Sequence, residues 1–114
     1  MVRPKEEVVA QALKAIAHPT RLRLLKHMAE GPLCVWELQK STGLRQPNIS
    51  QHLAILRDRG LVIPERRGNM TCYHLANKRI ARLITLAEAL FAGERGQGAA
   101  SAGQGPAQRM EASR

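Results

Sequence analysis

Gln46, Asn48, Ser50, Gln51 and His52 stand within one short stretch of the chain. They offer amides, a hydroxyl and an imidazole, groups that hydrogen-bond without fixed charge. Amides can meet a base edge with paired hydrogen bonds and a hydroxyl with a single one, chemistry suited to the major groove of duplex DNA. Interleaved with them, Ile49, Leu53 and Leu56 recur at i, i+4 and i+7, which places them on one face of a helix. Gln46, Pro47, Ser50, Gln51 and Ala54 fall away from that stripe. One side of such a helix is made for a core and the other for base pairs. Basic side chains surround it: Arg45 at its start, then Arg66 and Arg67 with Asn69 further along. Between Lys40 and Arg82 there are nine basic residues against Asp58 and Glu65, the electrostatic footprint of a phosphate-binding face.

Other chemistries find no support. There is no Ser-His-Asp arrangement, no Gly-rich phosphate cradle and no carboxylate pair, so the chain is not expected to be an enzyme. Asp58 and Glu65 have the look of local charge balance. His18 and His27 lack ligand spacing and are expected at the surface or at a helix cap. His52 lies beside the apolar stripe, where it either buttresses the helix or contacts phosphate. Trp36, Tyr73 and Phe91 are the only aromatic residues, which argues for a duplex over a single strand, since single-strand binders use aromatic stacking platforms.

The helix of Gln46 needs a scaffold. Val8, Val9, Ala12, Leu13 and Ile16 have helical spacing and predict a first helix over residues 5–17, with Glu6 and Glu7 in its first turn. His18-Pro19 interrupts it, and a second helix is expected from Pro19 to Ala29, with Leu22, Leu25 and Ala29 inward and Leu24 and Met28 beside them. Gly31-Pro32 ends that helix. Leu33 to Val35 is a very short apolar strand, Trp36 to Thr42 a third helix stopped by Gly43, and Gln46 to Arg59 the fourth, stopped by Gly60. Pro47 is tolerated in its first turn. Val62 to Arg67 and Met70 to Leu75 flank Gly68-Asn69 as a hairpin with a basic tip. A last helix is expected from Lys78 to Ala92.

This order, mainly α with one small β-hairpin, predicts a winged helix-turn-helix. It occupies residues 5–92, and residues 93–114, rich in Gly, Ala, Ser and Gln, are expected to be disordered. With 114 residues and a net charge of +9, one basic domain fits the length. No apolar run reaches a membrane span, no secretory signal is present, and two cysteines do not make a disulfide scaffold, so a cytoplasmic protein is expected. The first and last helices carry more apolar surface than a monomer of this size covers. A homodimer is therefore expected, joined by Val9, Leu13 and Ile16 with Ile80, Leu83, Ile84, Ala87, Leu90 and Phe91, and suited to a two-fold operator. The opposing class is a winged-helix module that binds protein and touches DNA incidentally.

Three segments resemble the ArsR/SmtB family of bacterial repressors: Ala17-His18-Pro19-Thr20-Arg21-Leu22-Arg23-Leu24-Leu25; Gln46 to Leu53 with Leu56 to Val62; and Arg66-Arg67-Gly68-Asn69 leading to Tyr73. The resemblance implies a homodimer that occupies an operator and is released by an effector, a metal or metalloid in many members and an oxidant or sulfur species in others. The family's thiolate site resembles Glu-Leu-Cys-Val-Cys-Asp-Leu-Cys. Here that stretch is Pro32-Leu33-Cys34-Val35-Trp36-Glu37-Leu38-Gln39, with one cysteine retained. The family's zinc site on the last helix is absent too, since Glu88 is its only candidate ligand.

In this fold the strand at Leu33 is expected to pair with the second wing strand, where alternation puts Cys72 and His74 on one face and Tyr73 and Leu75 on the other. Cys34 and Cys72 are then either small buried packing residues or a thiol pair that acts as the effector site, with His74 beside it. No cofactor is certain. A thiophilic metal or metalloid held through Cys34 and Cys72 is one version of that site, and a disulfide the other; the pairing register decides between contact and separation.

Overall fold

In the computed structural model, which describes residues 3–93, the chain forms five helices and a three-stranded antiparallel sheet. Helix α1 (Lys5–Ile16) is followed by α2 (Pro19–His27), a single 3-10 turn (Met28–Glu30), β1 (Leu33–Cys34), α3 (Val35–Thr42), α4 (Gln46–Asp58), β2 (Val62–Arg67), β3 (Met70–Leu75) and α5 (Arg79–Phe91). This is the expected winged helix-turn-helix. Residues through Ala81 make one compact unit, and most of α5, from Arg82, belongs to a second. The expected disorder of the tail lies outside the described residues beyond Gly93.

The core of the first unit is aliphatic. Leu24, Leu25, Leu38, Ile49, Leu53, Leu56 and Cys72 are completely buried, and Met28 and Val62 nearly so. The stripe Ile49, Leu53, Leu56 therefore faces inward as its spacing requires. On α2 and the 3-10 turn after it the inward residues are Leu24, Leu25 and Met28, not Leu22 and Ala29 as expected. The helix ends at His27 and tightens into the 3-10 turn, so Ala29 comes out to solvent and Leu22 lies at the edge of the stripe.

Two local devices fix the helix-turn-helix. Gly43 caps α3 at φ 74°, and its amide donates to the Gln39 carbonyl at 2.8 Å; a left-handed backbone here suits glycine and turns the chain sharply into α4. At the other end of α3, Cys34 is the N-cap residue, and its amide donates to Glu37 Oε1 at 2.8 Å. That return hydrogen bond satisfies a backbone group a strand residue would otherwise leave open. It also explains why Val35, expected in the short strand, begins the helix instead.

The sheet has the order β1-β3-β2, so β3 is central. The β2–β3 ladder runs from Val62 opposite Leu75 to Arg67 opposite Met70, and the β1–β3 ladder sets Leu33 opposite Tyr73 and Cys34 opposite Cys72. Pro64 sits on the outer strand β2, where a missing amide is tolerated.

Candidate nucleic-acid interface and cysteine pair

The outward face of α4 carries the side chains expected to meet bases. Arg45, Gln46, Asn48 and Gln51 are exposed and Ser50 is half-buried. Gln46 Nε2 and Ser50 Oγ are 3.0 Å apart, one turn apart on the helix, so each limits the other's rotamers. Arg45, in the N-cap place of α4, makes no side-chain cap; its guanidinium is left to the surface. Arg66, Arg67 and Asn69 are exposed at the wing. Glu65 accepts from Arg67 Nε at 2.9 Å and has His74 Nε2 at 3.6 Å. Asp58 pairs with its neighbour Arg57 at 3.3 Å. Both carboxylates thus balance local charge, as expected.

His52 is placed differently from the other polar residues of α4. It is half-buried and turned toward α2, with Nδ1 3.3 Å from Arg21 Nη1 and its ring 4.7 Å from that of His18. Burial, then His18, then Arg21, hold its pKa below the ordinary imidazole value of 6.5. His18 is a cap, since its Nδ1 accepts from the Thr20 amide at 3.1 Å. Arg21 was not foreseen as part of this arrangement. It lies 31 residues from His52, and only the Arg in the helix-opening run His18-Pro19-Thr20-Arg21 offered a signal.

Cys34 and Cys72 are joined by a disulfide, with Cα atoms 3.6 Å apart and directly opposite in the ladder. Both are buried. The bond links the N-cap of α3 to the central strand of the wing. His74 is engaged elsewhere, by Glu65 and by the Leu75 carbonyl at 3.0 Å. Among the described residues no group of three His, Cys, Asp or Glu side chains is placed to hold a metal ion. A thiophilic ion on Cys34 and Cys72 does not fit this arrangement, because the sulfurs are bonded to each other and no third donor stands with them among the described residues.

The residues expected at a dimer seam divide. On α1, Val9 and Leu13 are exposed, as is Val8. On α5, Leu83, Leu90 and Phe91 are exposed, Phe91 to 87%, while Ile80 and Ala87 are half-buried. Ile16 and Ile84 are buried within the single chain, at 8% and 2% exposure, so neither offers an outer face. Leu86, at 57%, is a further exposed apolar residue of α5 that helical spacing alone did not single out. No helix among the described residues is long and apolar enough to cross a membrane.

Residues 18–63 match the family model for the bacterial regulatory proteins of the arsR family. The chain is 42% identical over 83 residues to the biofilm growth-associated repressor of Agrobacterium fabrum, covering 73% of this chain and 71% of that protein. Among solved structures it is similar to the transcriptional repressor BigR of Xylella fastidiosa, with a TM-score of 0.70, 34% identity and coverage of 76% of this chain and 89% of that one. It is also similar to the homodimeric winged helix-turn-helix DNA-binding domain of a possible ArsR-family regulator of Mycobacterium bovis, with a TM-score of 0.71, 29% identity and coverage of 81% and 85%. With this fold, this order of motifs and these relatives, the chain belongs to the arsR family of bacterial regulatory proteins.

Proposed function

We infer that this chain is a sequence-specific transcriptional repressor that holds duplex operator DNA as a homodimer in the cytoplasm, and that oxidation of Cys34 and Cys72 releases it. The observation that carries the DNA-binding part is the division of α4, with Ile49, Leu53 and Leu56 sealed in the core and Arg45, Gln46, Asn48 and Gln51 outside. On that outer face only Ile55, at 38% exposure, is large and apolar, and it stands among polar side chains, too little for a protein-binding hot spot, which disfavours a protein-interaction module. The exposed apolar residues of α1 and of α5 support a second copy as partner, and the similar Mycobacterium bovis domain is homodimeric. The reading assigns no catalytic step to the chain.

The effector part rests on where the disulfide lies. Thiols in a reducing cytoplasm stay reduced unless an oxidant reaches them, so a disulfide there is a regulatory state more often than a structural one. With a peroxide as oxidant, the two thiols give up two protons and two electrons, an S–S bond forms, the O–O bond breaks and two waters leave. The new bond ties the central wing strand to the first residue before α3. Arg66 and Arg67 then lie in a wing that is covalently tied to the start of α3.

The test is binding of the full chain to a duplex from its own promoter region, measured at physiological salt after treatment with a thiol reductant or with hydrogen peroxide, and with mass spectrometry of both cysteines. Tight specific binding in the reduced form and its loss on oxidation are expected, with Cys34→Ser and Cys72→Ser each bound in both conditions. Binding no tighter than to random duplex would end the repressor reading. Normal release of both serine variants by peroxide would end the cysteine part alone.

A further inference from the structure

His52 adds a polar link between α4 and α2 to the apolar core that already joins them. A guanidinium has donors only and keeps its charge, so the contact with Arg21 Nη1 at 3.3 Å requires His52 Nδ1 to accept. The ring is then neutral, with its proton on Nε2. His18 is bound by the same logic, because its Nδ1 accepts from the Thr20 amide. Arg21 is itself anchored, with Nε donating to the Ala15 carbonyl at 2.6 Å. The charged and titratable groups that face His52 are therefore His18 and Arg21. Both are positive when charged. A proton on His52 Nδ1 replaces an acceptor by a donor against Arg21.

We propose that His52 is a positioning residue whose neutral ring helps hold α4 against α2 through Arg21, so that specific operator recognition is kept at neutral pH and lost when His52 is protonated in acid. Arg21 and His52 touch no base in this scheme. They set the angle at which Gln46, Ser50 and Gln51 are offered to the groove. The proposal rests on the operator-binding reading above, and non-specific affinity provides the internal control. Added protons make the protein more positive, which strengthens non-specific phosphate attraction. A loss of specific binding in acid therefore runs against the general electrostatic trend, and a change in the reading helix accounts for it.

The experiment measures binding of the full reduced chain to the promoter duplex and to a random duplex between pH 7.5 and pH 5.5. The ratio of the two affinities is expected to fall on the order of tenfold in the wild type, as α4 loses its register with the bases. In His52→Gln, whose amide oxygen accepts from Arg21 at every pH, that ratio should stay level across the same range, whatever its absolute value. Nitrogen-15 imidazole spectra of the DNA-free protein give an independent readout: Nδ1 of His52 unprotonated at pH 7.5, with faster exchange of α4 amides as it takes up a proton. Parallel pH profiles for wild type and His52→Gln, or protonation of His52 with no change in α4 exchange, would overturn the proposal. If the wild type fails to prefer the promoter duplex even at pH 7.5, the operator reading fails, and the imidazole spectra and amide exchange still decide the role of His52.

Discussion

The Cys34 amide donates to the Glu37 carboxylate at 2.8 Å, so the cysteine bonded to the wing is also the residue from which α3 begins. Any change in the bonding of Cys34 is felt at the start of the helix-turn-helix. Removing the carboxylate should loosen that start. Glu37→Ala is expected to lower stability by about 1 kcal/mol, the usual scale for a lost helix cap, seen as a lower urea midpoint with an unchanged slope.

Gln46 stands exposed at the head of α4 with Ser50 one turn behind it. Gln46→Ala should weaken binding to the operator by about 1–3 kcal/mol while leaving random duplex almost unaffected. Arg67→Ala should weaken both alike and reduce the salt dependence by about one counterion. Titrations at several salt concentrations separate the two patterns, and a Gln46→Ala variant that loses both equally would remove Gln46 from base recognition.

Leu53 has no exposed surface and lies between Ile49 and Leu56 on the sealed side of α4. Leu53→Ala should cost about 2–5 kcal/mol, transfer and cavity together. On a fold this small, that is a large share of the total. Chemical denaturation should show it directly, with operator binding falling in proportion to the folded fraction.

Burial, then His18 and Arg21, lower the His52 pKa below 6.5. The unfolded chain thus binds more protons than the folded one as pH drops through that value. The contribution of a neutral His52 to stability is fully present above about 6.5 and declines as pH falls below it. Wild type should lose more of its urea midpoint between pH 7.5 and pH 5.5 than His52→Gln does. Equal losses would mean that other groups govern the acid limb.

Leu83, Leu86, Leu90 and Phe91 leave a broad apolar surface on α5. Leu83→Asp would place a charge in whatever covers that surface, at a high desolvation cost. Sedimentation should show dimers for wild type and monomers for the variant. A wild-type monomer at micromolar concentration would remove α5 from any interface between copies.

Much of this fold was legible because its signals are local and periodic. The stripe Ile49, Leu53, Leu56 and the hairpin of Val62–Arg67 and Met70–Leu75 follow from spacing and turn residues alone, and both stand where the pattern puts them. On α2 the pattern misled. Leu22, Leu24, Leu25, Met28 and Ala29 fit two adjacent stripes, and the choice between them depends on where the helix tightens into its 3-10 turn. The register that opposes Cys34 to Cys72 could be anticipated only as a condition, since a slip of one residue would turn one thiol to the other face. The junction of Arg21 with His52 joins residues far apart in the chain, and no periodicity reports such a meeting.

Pro64 gives the outer strand of the wing a further property. Exposed strand edges invite pairing with strands of other chains. A proline has no amide to lend to an incoming strand, and Arg66 and Arg67 place like charges on the same short edge. Both features make the β2 edge of this sheet a poor template for an added strand.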